Sequence, residues 1–227
     1  MKLILVGANG KMGQMVCKVA KENNLQIIAK VDKQNQKYTK LEQIPPKIIK
    51  NADMVLDFAM PEILDDELNF CLKHNKKLVI CCTGHSRKQE QKIKLASKNI
   101  AIFKTANTSF GIALINEILK KYSKFLNGYK IAIIDKHHKN KKDSPSGTAL
   151  AFSNTLNTNN LTCECLSLRA GTCVGEHQIL LFDDFEEICI THIAESRELF
   201  AIGALKICKF VKDLSAGLYG MENFFIN

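Results

Sequence analysis

Leu3-Ile-Leu-Val-Gly-Ala-Asn-Gly-Lys-Met-Gly13 runs from an apolar segment straight into three glycines, Gly7, Gly10 and Gly13. Residues 2–6, short and apolar with a β-branched Val6, predict a buried strand. From Gln14 to Lys21 the apolar positions Met15, Val16 and Val19 share one side, as a helix requires. Glycines at a strand-to-helix turn let the backbone bend tightly and approach a pyrophosphate, whose charge the helix N-terminus stabilises. The spacing is G-x-x-G-x-x-G rather than G-x-G-x-x-G, and a glycine-rich structural turn is the plain alternative. Its place between strand and helix, with Asp32 closing the next strand 19 residues after Gly13, favours a dinucleotide site.

Working outward, further strands are expected at 27–31, 54–58, 77–81 and 100–103, with helices over 61–74 and 88–97. Strand and helix alternate at the spacing of βαβ units, so the first ~105 residues read as a parallel sheet covered by helices. The character changes after Asn107. A helix over about 111–125 leads to a strand at 129–134, and another helix is expected over about 148–156. Strand-like runs at 163–169, 178–182 and 187–194 follow without clear helices between them, and are expected to be antiparallel. A last helix spans about 199–214, and residues 154–162 look the most loop-like. The fold class is therefore α/β: a Rossmann-type doubly wound parallel sheet plus a smaller α+β domain with an open mixed sheet. The domain division expected is 1–107 with 199–227 for the dinucleotide, and 108–198 for substrate and oligomerisation.

Composition narrows the function classes. The chain has 227 residues, enough for two modest domains, with 46% hydrophobic and 24% charged residues, as in an ordinary globular protein. No apolar run approaches the roughly 20 residues of a membrane helix, and the four-residue run at the start is too short for a signal peptide, so a cytoplasmic location is expected. The nine cysteines are odd in number and contain no Cys-x-x-Cys, which argues against a zinc site or disulfide framework and for buried thiols. The net charge of +9 comes from scattered lysine, with only Arg87, Arg169 and Arg197 as arginines and no tryptophan. That pattern speaks against nucleic acid and is compatible with attraction of phosphorylated cofactors and carboxylates.

At the cofactor site, Asp32 can accept hydrogen bonds from ribose hydroxyls, favouring NADH, while Lys33 can neutralise a 2′-phosphate, favouring NADPH. Both choices stay open. Ligands of such sheets lie beyond the carboxyl ends of the strands, which also places Cys81-Cys-Thr-Gly84 and Thr105-Ala-Asn-Thr108 against the cofactor.

The second informative stretch is Asp135-Lys-His-His-Lys-Asn-Lys-Lys-Asp-Ser-Pro-Ser-Gly-Thr148. Ser146-Gly-Thr148 precedes a helix, so its amides and hydroxyls make a carboxylate site at the positive helix end. Lys141 supplies a counter-charge or a proton, the histidines protonate near neutrality, and Asp143 orients or caps the turn. A lysine-rich surface loop with incidental histidines is the bland alternative. His74, His85, His177 and His192 are read as structural, with a place lining the same domain as the alternative for His192.

Together these residues resemble the 4-hydroxy-tetrahydrodipicolinate reductase (dihydrodipicolinate reductase) family. The resemblance is carried by His137-His-Lys-Asn-Lys-Lys-Asp-Ser-Pro-Ser-Gly-Thr-Ala149, by Val6 to Gly13, by Leu56-Asp-Phe58 with Pro61-Glu62, and by Thr83-Gly84. Arg169-Ala-Gly171, Val174-Gly-Glu-His177, Ile190-Thr-His192 and the Gly217-Leu-Tyr-x-Met221 pattern complete it. It implies NADH- and/or NADPH-dependent reduction of a small dicarboxylate in the diaminopimelate route to lysine. His137 would be the general acid and Lys141 a second proton donor. His138, Ser146, Gly147 and Thr148 would hold the substrate. The cofactor would contact Gly7, Ala8, Asn9, Gly10, Lys11, Met12, Asp32, Lys33, Cys81, Cys82, Thr83, Thr105, Ala106, Asn107 and Thr108. The resemblance also implies a homotetramer, and no metal is expected. The competing readings are a reductase of another cyclic imine and a nicotinamide-binding redox sensor without turnover.

Overall fold

In β1 (Lys2–Val6) every residue after Lys2 is buried, on both faces of the strand. Strands that lie inside a parallel sheet read as continuous apolar runs for this reason. The computed structural model describes residues 1–35 and 37–225. Its first unit comprises Met1–Thr108 with Phe200–Phe224, and the second is built on Ser109–Leu199.

In the first unit β1 is followed by α1 (Lys11–Glu22), β2 (Gln26–Val31), α2 (Pro46–Asn51) and β3 (Met54–Asp57). Then come α3 (Leu64–His74), β4 (Lys77–Ile80), α4 (Arg87–Ala96) and β5 (Ala101–Lys104). The strands form one six-stranded sheet in the order β10-β5-β4-β3-β1-β2, where β10 (Gly217–Tyr219) arrives from the far end of the chain. All five pairings are parallel. Neither α2 nor β10 was expected from the sequence; both are too short to show a period. Residues 61–63 form a 3-10 turn, so the helix expected from Pro61 begins at Leu64.

The second unit contains α5 (Phe110–Tyr122), β6 (Lys130–His137), α6 (Gly147–Asn157), β7 (Cys163–Arg169), β8 (Gly175–Phe182) and β9 (Glu187–Ala194). The last helix, α7 (Glu198–Val211), carries the chain back into the first unit, where Lys77 Nζ donates to the carbonyls of Val211 and Leu214 at 3.2 and 2.6 Å. Lysine at a helix C-terminus satisfies carbonyls that have no intrahelical partner. The second sheet has the order β7-β6-β8-β9 and is mixed. β8 is antiparallel to both β6 and β9, but β7 runs parallel to β6. The expectation that the late strands are all antiparallel is corrected here. The chain between β6 and β7 contains α6, so it crosses over and re-enters in the same direction.

Burial alternates along β6 and β8, with Ile131, Ile133, Ile179 and Leu181 turned to a core shared with Phe152 and Leu156 of α6 and Ile112 and Leu119 of α5. Fully buried Phe152 and Leu156 hold α6 together to Asn157, which shortens the loop expected over 154–162. The thiols also depart from expectation: all nine are free, but only Cys71 and Cys208 are fully buried and Cys189 is exposed.

Candidate active site

The turn after β1 is shaped by two glycines that admit no side chain. Gly7 has φ +74°, and a Cβ there would meet Phe58 backbone at 2.6 Å. A Cβ on Gly13 would lie 2.2 Å from the Gly7 carbonyl oxygen and 2.7 Å from Ala8 Cα, so α1 starts hard against the turn. Gly10 caps α1 without any side-chain acceptor, and no acidic residue occupies the first turn. The amides of that turn are thus left to a ligand, and an anion at a helix N-terminus is favoured by both the N–H groups and the dipole.

A cavity of ≈ 450 Å³ opens beside them, lined by Gly7, Asn9, Gly10, Asp32, Lys33, Thr39, Phe58 and other residues of the sheet's carboxyl edge. Asp32 holds the loop ends together by accepting from Asn9 N at 3.0 Å and Gln34 N at 3.1 Å. The donor set, bare helix amides with an acidic residue at the end of β2, fits a dinucleotide. Lys11 is exposed and Met12 partly exposed at the start of α1, while Ala8 is buried under the turn.

Cys82 follows β4 and donates its thiol to Asp57 Oδ2 at 3.0 Å, with His85 Nε2 3.6 Å away. Burial, Asp57 and Glu67 push that thiol well above the usual range, so it is no thiolate nucleophile. Asp57 and Glu67 are themselves buried side by side. Burial and mutual repulsion raise the Glu67 pKa, and burial raises that of Asp57. Beyond β5, Thr105 Oγ1 donates to Asn107 O at 2.7 Å, and Thr108, nearly fully buried, donates to Phe200 O at 2.7 Å. Cys81 and Thr83 flank Cys82 at the end of β4, and Ala106 lies exposed between the two threonines.

In the second unit the strand β6 runs on to His137, three residues past the end expected from sequence. Period two then places Asp135 and His137 on the same buried face. Asp135 Oδ1 accepts from His137 Nδ1 at 3.0 Å and from Arg169 at 2.6 Å. Its Oδ2 accepts from Ser146 N at 3.0 Å and Ser167 Oγ at 2.7 Å. Burial works to raise the Asp135 pKa, but Arg169, Ser167, the Ser146 amide and His137 outweigh it and hold it far below the usual carboxylate range. For His137, burial lowers the pKa; the Asp135 bond opposes this, and Lys141 and Arg169 reinforce it.

The Ser146–Thr148 turn already embraces a carboxylate. Asp143 Oδ2 lies 2.8 Å from Lys141 Nζ, and the nearby Gly147 amide also favours its charged form. Burial tends to raise the Asp143 pKa, and these two donors bring it below the ordinary value. The cap of α6 is not Asp143, as considered from sequence, but Ser146, whose Oγ accepts from Ala149 N at 3.2 Å. His138 is partly exposed beyond the strand, its amide bonded to Cys173 O at 2.8 Å.

Sequence reasoning gave no role to Asp135, Arg169 or His177. The signal available was the Asp-x-His spacing on a strand, which sets both side chains on one face. Arg169 and His177 reach that face from other strands.

Comparison with known proteins places both units in one family. Residues 1–108 match the family model described as "Dihydrodipicolinate reductase, N-terminus", and residues 111–225 match "Dihydrodipicolinate reductase, C-terminus". The 4-hydroxy-tetrahydrodipicolinate reductase of Clostridium tetani is 39% identical over 246 residues, covering 97% of this chain and 95% of that protein. The protein of the same name from Rickettsia rickettsii is 34% identical over 237 residues, covering 97% of each. Among solved structures, the dipicolinate-bound dihydrodipicolinate reductase from Paenisporosarcina sp. TG-14 superposes with a TM-score of 0.82 at 20% identity, covering 98% of both chains. By its sequence, over both of its units, the chain belongs to the dihydrodipicolinate reductase family.

Proposed function

We propose that this protein is an oxidoreductase that reduces 4-hydroxy-tetrahydrodipicolinate to tetrahydrodipicolinate in the diaminopimelate route to lysine, with NADH or NADPH as the hydride source. The observation that carries the reading is the turn at the start of α6. There Lys141 already pairs with a carboxylate, beside a histidine aligned by a buried aspartate. A substrate carboxylate would take the place of Asp143 against Lys141, a partner that already suits a carboxylate.

When bound, a reduced nicotinamide supplies hydride. The chain's own residues do the rest. Gly7 to Met12, Asp32 and Lys33 would hold the dinucleotide, with Cys81 to Thr83 and Thr105 to Thr108 serving its nicotinamide end. Gly147, Thr148, Ser146 and His138 hold the ring's carboxylates. His137 delivers the proton to the charge that develops on the ring, with Lys141 as a second donor. In the free protein burial keeps the His137 pKa low. A bound dianion beside it favours the imidazolium and so loads the proton. Loss of water from the hydroxylated ring, together with one hydride and one proton, would account for the product.

The open face of the second sheet supports a homotetramer: Leu166, Leu168 and Ile193 stand exposed there on its edge strands. Exposed apolar surface of this kind marks contact sites. No described helix is long and apolar enough to cross a membrane.

The deciding experiment follows absorbance of the reduced nicotinamide with substrate generated in situ from pyruvate and aspartate semialdehyde by the preceding synthase. Synthase-dependent oxidation, measured with each cofactor, is expected and ranks NADH against NADPH. Cofactor binding without oxidation would leave a reductase of another cyclic imine or a redox sensor.

A further inference from the structure

His177 lies on β8 directly opposite Asp135 of β6 and His192 of β9. It is 5% exposed, and its ring meets His137 edge-on at 5.1 Å and Phe152 of α6 at 6.2 Å. Its Nε2 is 3.1 Å from Ser146 Oγ, while its Nδ1 is buried with no hydrogen-bond partner among the described residues. Those two contacts select a tautomer. A proton on Nδ1 would orphan a buried N–H, which folded proteins rarely tolerate; a proton on Nε2 orphans only a lone pair. The ring is neutral because burial, with His137 adding to it, pushes its pKa down to about 4. The charged or titratable groups that face it are Asp135 and His137 from β6, His192 from β9 and Lys141 from the following loop.

Ser146 Oγ then receives two donors, His177 Nε2–H and Ala149 N–H. Its own proton must point to a third group. The Ser146 amide cannot serve an incoming anion, since it is held by Asp135. The same device recurs one strand away, where His192 Nε2 lies 3.2 Å from Ser109 Oγ, which caps α5 through Ile112 N, and His192 Nδ1 is again buried and unpartnered. Two neutral histidines of one cross-strand pair thus grip the capping serines of two helices.

We propose that His177 is a positioning residue for substrate binding: its Nε2–H donates to Ser146 Oγ and leaves the Ser146 hydroxyl proton to donate to a substrate carboxylate. This rests on the turn's role as the carboxylate site and explains how a buried capping serine serves it.

Two measurements test it. Long-range ¹⁵N NMR of the imidazoles in the unmodified protein is expected to find His177 neutral with the proton on Nε2; a proton on Nδ1, or an imidazolium, overturns the proposal. Calorimetric titration with dipicolinate is expected to show about tenfold weaker binding in His177→Phe, which keeps the ring but lacks the donor, and recovery in His177→Gln. In turnover the substrate KM should rise by a similar factor while kcat falls less than about threefold. Ser146→Ala should match His177→Phe, and the double variant should add nothing further. Additive losses, or unchanged dipicolinate binding in His177→Phe, overturn the role of His177. Failure of the wild-type protein to bind dipicolinate or to turn over substrate overturns the functional reading instead. If His177→Phe does not fold, the NMR tautomer decides alone.

Discussion

Each sheet of this chain buries carboxyl groups, and the two treat them in opposite ways. Under the first sheet Asp57 accepts from the Ala59 amide and the Cys82 thiol but is paired with a second carboxyl group, Glu67, and burial raises both pKa values. Under the second, Asp135 is equally inaccessible but receives four hydrogen bonds and stays ionised. Burial alone does not make a carboxyl group neutral; the charge of the partner aimed at it decides, a guanidinium for Asp135 and a second carboxyl group for Asp57. The difference matches the sheets' use. β1 and β3 are wrapped on both faces, and the dinucleotide site proposed for the first unit relies on backbone at the strand ends. The second sheet covers only one face, and on that face it builds a row of polar side chains, Ser167, Asp135, His177 and His192, across all four strands.

The largest expected effect breaks the comparison at the second sheet. His137→Gln removes the proton donor that Asp135 aligns, and single-turnover absorbance should show hydride transfer slowed by about 10²–10⁴-fold. Dinucleotide affinity, a property of the first unit, should be unchanged; unaltered turnover would remove His137 from the acid's role.

Next in size is Gly13→Ala, which tests the first sheet's reliance on backbone. The added methyl would overlap the Gly7 carbonyl at 2.2 Å, so turn or helix must move. A loss of about 2 kcal/mol or more in urea unfolding is expected, together with lost dinucleotide binding. Wild-type affinity would mean that the turn is not the phosphate cradle.

The smallest effects sharpen the electrostatic contrast. Asp135 has a folded-state pKa below its unfolded value, so its contribution is present above pH ~4 and is lost as the pH falls from there through the folded pKa. Glu67 has a folded pKa above its unfolded value, so its contribution is full below pH ~4 and is lost as pH rises through the folded pKa. Asp135→Asn should therefore flatten the acid limb of stability, and Glu67→Gln, which imitates the protonated acid, should change stability at neutral pH by no more than about 1 kcal/mol. Unfolding midpoints measured from acid to neutral pH check both. A large loss in Glu67→Gln would mean that Glu67 is ionised.

Much of the architecture was legible in the sequence because it rests on local periodicity. The apolar run into Gly7, the glycine spacing and the alternation to residue 104 need no long-range information to indicate a parallel sheet. The motif from His137 to Ala149 likewise carried its chemistry in adjacent residues. What was misread depended on partners far along the chain. β7 looks like any exposed strand, and only the crossover through α6 makes it parallel to β6. β10 has three residues and exists because β5 offers an edge.

The sequence alone determined the two kinds of sheet, the glycine turn and the segment proposed to donate the proton and hold the anion, since each is written in neighbouring residues. Tertiary structure decided which groups those residues could use. Asp135 is ionised because Arg169, Ser167 and the Ser146 amide converge on it from 34, 32 and 11 residues away. Ser146 is oriented because His177, 31 residues distant, meets it above the sheet. Hydrogen bonds act over about 3 Å, and only the packing of β6, β7, β8 and the start of α6 brings those donors within that range.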